Sequence, residues 1–248
     1  MEVTASIKDL KVQVTNKQIL SIALPITLAI IIPQINMLTN SMFLGNLSTE
    51  ALGNAGITGV FYLIFAVAGN GLNNGLQSEF SRYAGGDNTS AFKTILAQSI
   101  RIALQLSVAG IIITWFIAPF ILQHVADPKA YPQEMDFLKI RIMGLPFLYL
   151  FQMGNAFLVA SLNSRYLMIG FIAEASLNIL LDYLLIFGHW GLPAMGFNGA
   201  AVASVIAEAS GFLVLLLVLY KTGLKKQYAL LTTFKYDKTT TKEIIRIS

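Results

Sequence analysis

Six long apolar stretches constrain this chain more than any other feature. They fall at about residues 19–44, 51–76, 94–122, 137–162, 167–188 and 196–220. A helix needs roughly 20 apolar residues to cross a bilayer, and each stretch meets that length. Composition agrees, since 12% of residues are charged, against about 25% in a soluble domain. The expected fold class is an all-α membrane protein with six transmembrane helices.

The same composition removes several functions. There is no cysteine, so disulfides and thiolate metal sites are excluded. His124 and His189 are the two histidines and both lie beside loops, which argues against zinc or haem. The formal charge of +4 reflects where the lysines fall and does not point to nucleic acid. No cleavable signal peptide is expected, because residues 1–18 are polar and the first apolar run lacks a small-residue cleavage pattern. An intramembrane enzyme would need a metal cluster, a nucleophile with its base, or paired aspartates for magnesium. Nothing in the sequence supplies one, so the chain is expected not to be an enzyme and to carry no cofactor.

Within the fifth stretch, Glu174, Asn178 and Asp182 recur every four residues, which stacks them on one helix face. A carboxylate at the centre of a membrane helix costs roughly 2.5–3.5 kcal/mol on insertion scales. A ladder of acid, amide and acid therefore needs partners or a water-filled cavity, and reads as an ion or proton site. The plainer alternative puts Glu174 near the membrane surface and has Asp182 capping a neighbouring helix.

Other polar residues interrupt the remaining stretches. The first contains Pro25 and Pro33, with Gln34, Asn36 and Asn40 in its far half. Proline removes a backbone hydrogen bond and bends a helix, so Pro25 is a candidate bend. The amides read equally as interhelical hydrogen bonds or as ion-facing groups. The second stretch ends in a glycine- and asparagine-rich segment, Gly69 to Gly75, which reads as close helix packing. Arg101 lies near the start of the third and is expected to snorkel to the surface. Lys139 and Arg141 are placed at the start of the fourth, with Gln152 and Asn155 deep inside it. Glu208, in the sixth, reads either as the partner of a polar group on a neighbouring helix or as part of a transport site.

Basic residues gather on one side of this arrangement. Lys8, Lys11 and Lys17 precede the first span, and Lys221, Lys225, Lys226, Lys235, Lys238, Lys242 and Arg246 follow the last. The positive-inside rule places both termini in the cytoplasm, with the spans in the plasma (inner) membrane. Residues 1–18 are expected to be a cytoplasmic segment, 19–220 the six-helix lobe, and 221–248 a basic cytoplasmic connector. Residues 242–248 echo the approach to the first span, as if a second repeat were about to start. Two six-helix repeats with a site between them are a recurrent transporter plan.

Four stretches belong together: Ala23–Ile26 with Asn40–Gly45 and Ala51-Leu52; Gly71–Gly75 with Ser81–Tyr83 and Gly85; Leu177–Gly188; and Gly191–Ala201. In their order and spacing they resemble the multidrug and toxic compound extrusion (MATE) family of secondary transporters. The resemblance implies one lobe of a twelve-helix, two-lobe transporter, here the N-terminal lobe, with the C-terminal lobe of the same protein as its partner. It implies cation-coupled antiport, driven by protons or sodium, that exports amphipathic drugs or toxic organic compounds by alternating access. The fifth-helix Asn and acid of the family fall on Asn178 and Asp182. The first-helix acid falls on Asn40, an amide, so one expected charge is missing. Asn155 is a fourth member by position, and Glu174, outside the common pattern, could supply the missing charge from one turn away. The expected cation or proton site is thus Asp182, Asn178, Asn40, Asn155 and Glu174, with Pro25 as the bend. Any sodium ion would sit at this same cluster, and no other metal is expected. The expected partners are a small organic substrate and the lipid bilayer. The alternative is a flippase for lipid-linked oligosaccharides or another lipid. It should show a strongly cationic cavity, whereas the buried groups here are acids and amides.

Overall fold

A computed structural model describes residues 16–84, 89–223, 241 and 244. Most of the 1–18 lead-in, the Gly85–Asn88 turn, and most of the 221–248 connector with its repeat-like echo lie outside the described residues. The described chain is helical. In order it forms α1 (Asn16–Leu47), α2 (Thr49–Ala84), α3 (Thr89–Phe116), α4 (Ala118–Val125), α5 (Tyr131–Arg141), α6 (Leu145–Ala160), α7 (Leu167–Phe187) and α8 (Phe197–Lys221). Six helical segments are long and apolar enough to cross a membrane, the fourth being Tyr131–Ala160, made of α5 and α6 together. The all-α, six-span expectation is met.

Where the spans differ from the sequence reading, proline and buried polar groups explain it. The third apolar stretch reaches residue 122, but α3 ends at Phe116 and the short α4 follows, with Pro119 in its first turn. Proline suits a first turn, where its missing N–H has no intrahelical partner. The fourth span begins at Tyr131 and not at 137. Residues with the composition of a polar loop are therefore helical, and Glu134 among them is fully buried. Arg141 consequently lies well inside the span, not at its start. A 3-10 turn at Ile142–Gly144 breaks this span into α5 and α6. Pro146 is the cause, because its ring clashes with the carbonyl of residue i−4, here Ile142, and it has no N–H to donate. By contrast α1 is helical through both Pro25 and Pro33.

Two interfaces set the shape of the lobe. On α2, Phe61, Phe65, Leu72, Leu76 and Phe80 join Tyr149, Met153 and Phe157 of α6 in the main core. The helices approach at Gly69, where an added Cβ would lie 2.7 Å from the Tyr149 ring. The Tyr149 hydroxyl donates to the Phe65 carbonyl at 2.9 Å, and Gln152 Nε2 donates to Asn70 Oδ1 at 3.2 Å. The glycine-rich end of α2 thus serves packing, as the sequence suggests. The second interface, between α7 and α8, is the most extensive in the lobe. It is closest at Gly199, where a Cβ would sit 2.7 Å from the backbone of Leu185. Gly188 ends α7 in the left-handed conformation, and the following turn folds back so that Met195 N–H donates to Leu185 O at 2.7 Å. This returns the chain directly into α8 beside α7, while α1 also packs against α7.

Candidate functional site

α7 therefore contacts both α1 and α8, and its polar residues meet both. Asn178 and Asp182 are 1% and 0% exposed. Asn36 of α1 donates from Nδ2 to Asn178 Oδ1 at 2.8 Å. Among the described residues, neither oxygen of Asp182 has a hydrogen-bond partner, and neither do Asn178 Nδ2 and Asn36 Oδ1. A buried acceptor without a donor costs about 1–3 kcal/mol, and more when it is charged. Such a group persists where a proton or cation can satisfy it, or where it serves a function.

The sequence places Asn40 against this pair, whereas the residue that bonds Asn178 is Asn36, one turn earlier. The two observations fit together. Spans one and five run in the same direction across a bilayer, so one turn forward from Asn36 on α1 reaches the level one turn forward from Asn178 on α7. Those positions are Asn40, which is partly buried, and Asp182. In the sequence Asn36 is one of several amides on α1; its signal is the four-residue spacing to Asn40, which repeats that of Asn178 and Asp182. Asn155 is buried on α6, and its Oδ1 also lacks a donor. No hydrogen bond joins it to Asn178 or Asp182 among the described residues.

Glu174 belongs to different company. It faces α8 at Gly211, where an added Cβ would come within 3.0 Å of Glu174 Oε2. Gly211 lies three residues along α8 from Glu208. Arg141 of α5 grips Glu208 of α8 through two nitrogens, Nη1 to Oε2 at 2.9 Å and Nη2 to Oε1 at 2.6 Å. The guanidinium lies 3.8 Å from the centre of the Tyr62 ring of α2, and the Tyr62 hydroxyl donates to Glu208 Oε1 at 3.3 Å. The Arg141 and Glu208 side chains are 15% and 6% exposed. The partner-helix reading of Glu208 is therefore realised, with a partner that the sequence places at a span end. The signal for it is that a buried glutamate in the sixth span requires a positive charge at similar depth. Among the described residues no cluster of three or more histidine and acidic side chains is arranged to hold a metal ion.

Six apolar helical spans with buried acids and amides on a central helix define a polytopic membrane domain. The profile of the MatE family matches residues 25–184, and the chain belongs to that family. It is 28% identical over 201 residues to the "Probable multidrug resistance protein NorM" of Agrobacterium fabrum, covering 79% of this chain and 42% of that protein. It is 28% identical over 188 residues to the "FAD transporter" of Shewanella oneidensis, covering 72% of this chain and 41% of that protein. Among solved structures, a MATE protein "in the bent conformation" superposes with a TM-score of 0.82 at 20% identity, over 93% of this chain and 51% of that one. The chain spans about half the length of the curated relatives it matches.

Proposed function

We propose that this chain is the N-terminal lobe of a cation-coupled exporter of amphipathic organic compounds, working by alternating access with a proton or sodium ion as counter-substrate. Asp182 carries the proposal. It is fully buried, neither of its oxygens is hydrogen-bonded among the described residues, and it lies one turn from the Asn36–Asn178 amide pair. A proton on Asp182, or a cation held by its carboxylate and neighbouring amide oxygens, relieves that burial. Hard cations favour oxygen ligands, and Asn178, Asn40 and Asn155 offer neutral ones alongside Asn36. The ion shifts the lobe between access states only by binding one of them more tightly. The Asn36–Asn178 bond gives the ion a handle on α1. Pro25, which leaves the carbonyl of Ser21 without its helical hydrogen bond, gives α1 a place to bend.

Basic residues flanking the first and last spans support a plasma-membrane orientation with 1–18 and 221–248 in the cytoplasm. The names of relatives support organic compounds as cargo. A lipid-linked pyrophosphate would need open basic groups, and Arg141 is engaged through two nitrogens by Glu208, which favours drug export over lipid flipping.

The test is Asp182→Asn in the full-length protein, reconstituted in liposomes with an imposed proton or sodium gradient. Gradient-driven efflux should be lost while surface expression and drug binding persist. Asn36→Leu and Asn178→Ala should each weaken coupling less, because the acid remains. Wild-type efflux by Asp182→Asn under either gradient would remove Asp182 from the mechanism.

A further inference from the structure

Arg141 sits among more buried acid than it can neutralise. Glu208 occupies two of its nitrogens, and Tyr62 covers the guanidinium face. Glu174 Oε2 is buried without a hydrogen-bond partner among the described residues. That oxygen lies against Gly211, three residues along α8 from Glu208, while the residue as a whole remains partly accessible. Two carboxyls thus approach the same stretch of α8, and the guanidinium bonds one of them.

We propose that Glu174, Arg141 and Glu208 form a second proton-exchange site, separate from the Asp182 cluster, in which the guanidinium changes partners. With a proton on Glu174, Arg141 stays on Glu208. When Glu174 gives that proton to water at its open side, it becomes a carboxylate and draws the guanidinium toward itself. The proton is the only species exchanged, and Arg141 keeps its charge throughout. A buried pair that breaks without replacement is strongly penalised, so a nearby second acid is what makes the exchange feasible.

The surroundings fit this assignment from every side. α8 presents Glu208. α1 carries no titratable side chain between Gln18 and Leu47. The turn before α7 carries Arg165, whose Nη2 donates to the hydroxyl of its neighbour Tyr166 at 2.8 Å. Tyr62 and Arg141 arrive from α2 and α5, and Asp182 lies two turns further along α7. The exchange also has a mechanical outlet. Arg141 is the last residue of α5, directly before the 3-10 break at Ile142–Gly144. A Cβ on Gly144 would collide with the Glu208 carboxylate, so the break and the ion pair are in contact. Movement of the guanidinium therefore bears on the joint between α5 and α6.

The proposal needs the transporter reading only for its meaning in transport; its test does not. The full-length protein in lipid is followed by pH-difference infrared spectroscopy of the protonated-carboxyl C=O band. Glu174→Gln should delete one component of that band, and Asp182→Asn a different one. Glu208→Gln should also delete the Glu174 component although Glu174 is untouched, because the freed guanidinium moves onto it. If Glu174→Gln, which is isosteric, leaves the band unchanged, Glu174 carries no proton and the proposal falls. If Glu208→Gln folds and the Glu174 component persists, Arg141 does not change partners and the proposal falls equally. Loss of the Glu174 component with an unaltered Asp182→Asn spectrum would instead uphold this site and refute Asp182 as the coupling acid.

Discussion

Replacing Arg141 with Met removes the positive charge held against Glu208 while keeping most of the side chain's reach over Tyr62. Two charge-assisted hydrogen bonds, at 2.9 and 2.6 Å, are lost, together with the cation's contact 3.8 Å from the Tyr62 ring. Because the Arg141 and Glu208 side chains are only 15% and 6% exposed, solvent cannot take over. Breaking a buried pair from one side costs about 3–5 kcal/mol, since the remaining charge is stranded. Replacing both partners with apolar groups is often neutral. Arg141→Met should therefore lose about 3–5 kcal/mol, and Arg141→Met with Glu208→Leu should recover most of it. Glu208→Gln alone should cost less than Arg141→Met, because Glu174 is at hand to receive the guanidinium. Reversible unfolding of the full-length protein in mixed micelles measures all three. A loss under about 1 kcal/mol for Arg141→Met, the range of exposed pairs, or a double variant as unstable as the sum of its parts, would refute the reasoning.

Two further perturbations separate packing from topology. Gly199→Ala puts a Cβ 2.7 Å from the Leu185 backbone and should cost about 1–3 kcal/mol by forcing α7 and α8 apart. Gly53→Ala, with nothing within 4 Å, should be neutral or slightly stabilising, and equal effects in the same unfolding assay would contradict the packing account. Since the protein has no cysteine, single cysteines report sidedness without background from this chain: Lys129→Cys should react with an impermeant thiol reagent outside intact cells and Arg165→Cys should not, and the reverse pattern would invert the proposed orientation.

The number of spans, their helical nature and the polar face of α7 were determined by sequence alone. The reason is that lipid imposes the same two demands on every residue of a span, an apolar surface and a satisfied backbone. Those demands are local, so composition and a four-residue spacing suffice to read them. For the same reason Asn178 and Asp182 stand out, being polar where nothing polar is tolerated without cause. Only the tertiary structure decided which groups meet. Asn36, and not Asn40, bonds Asn178, because the register of α1 against α7 is set by packing along their whole length. Arg141 looks like a span end because Tyr131–Asp136 is polar in composition; helix packing buries Glu134 within that segment and carries Arg141 to the depth of Glu208. Glu174 faces α8, since its carboxyl approaches that helix at Gly211, three residues from Glu208. Partnerships between buried charges join residues as far apart in the chain as Tyr62, Arg141 and Glu208, and no local pattern encodes the depth at which such residues come together.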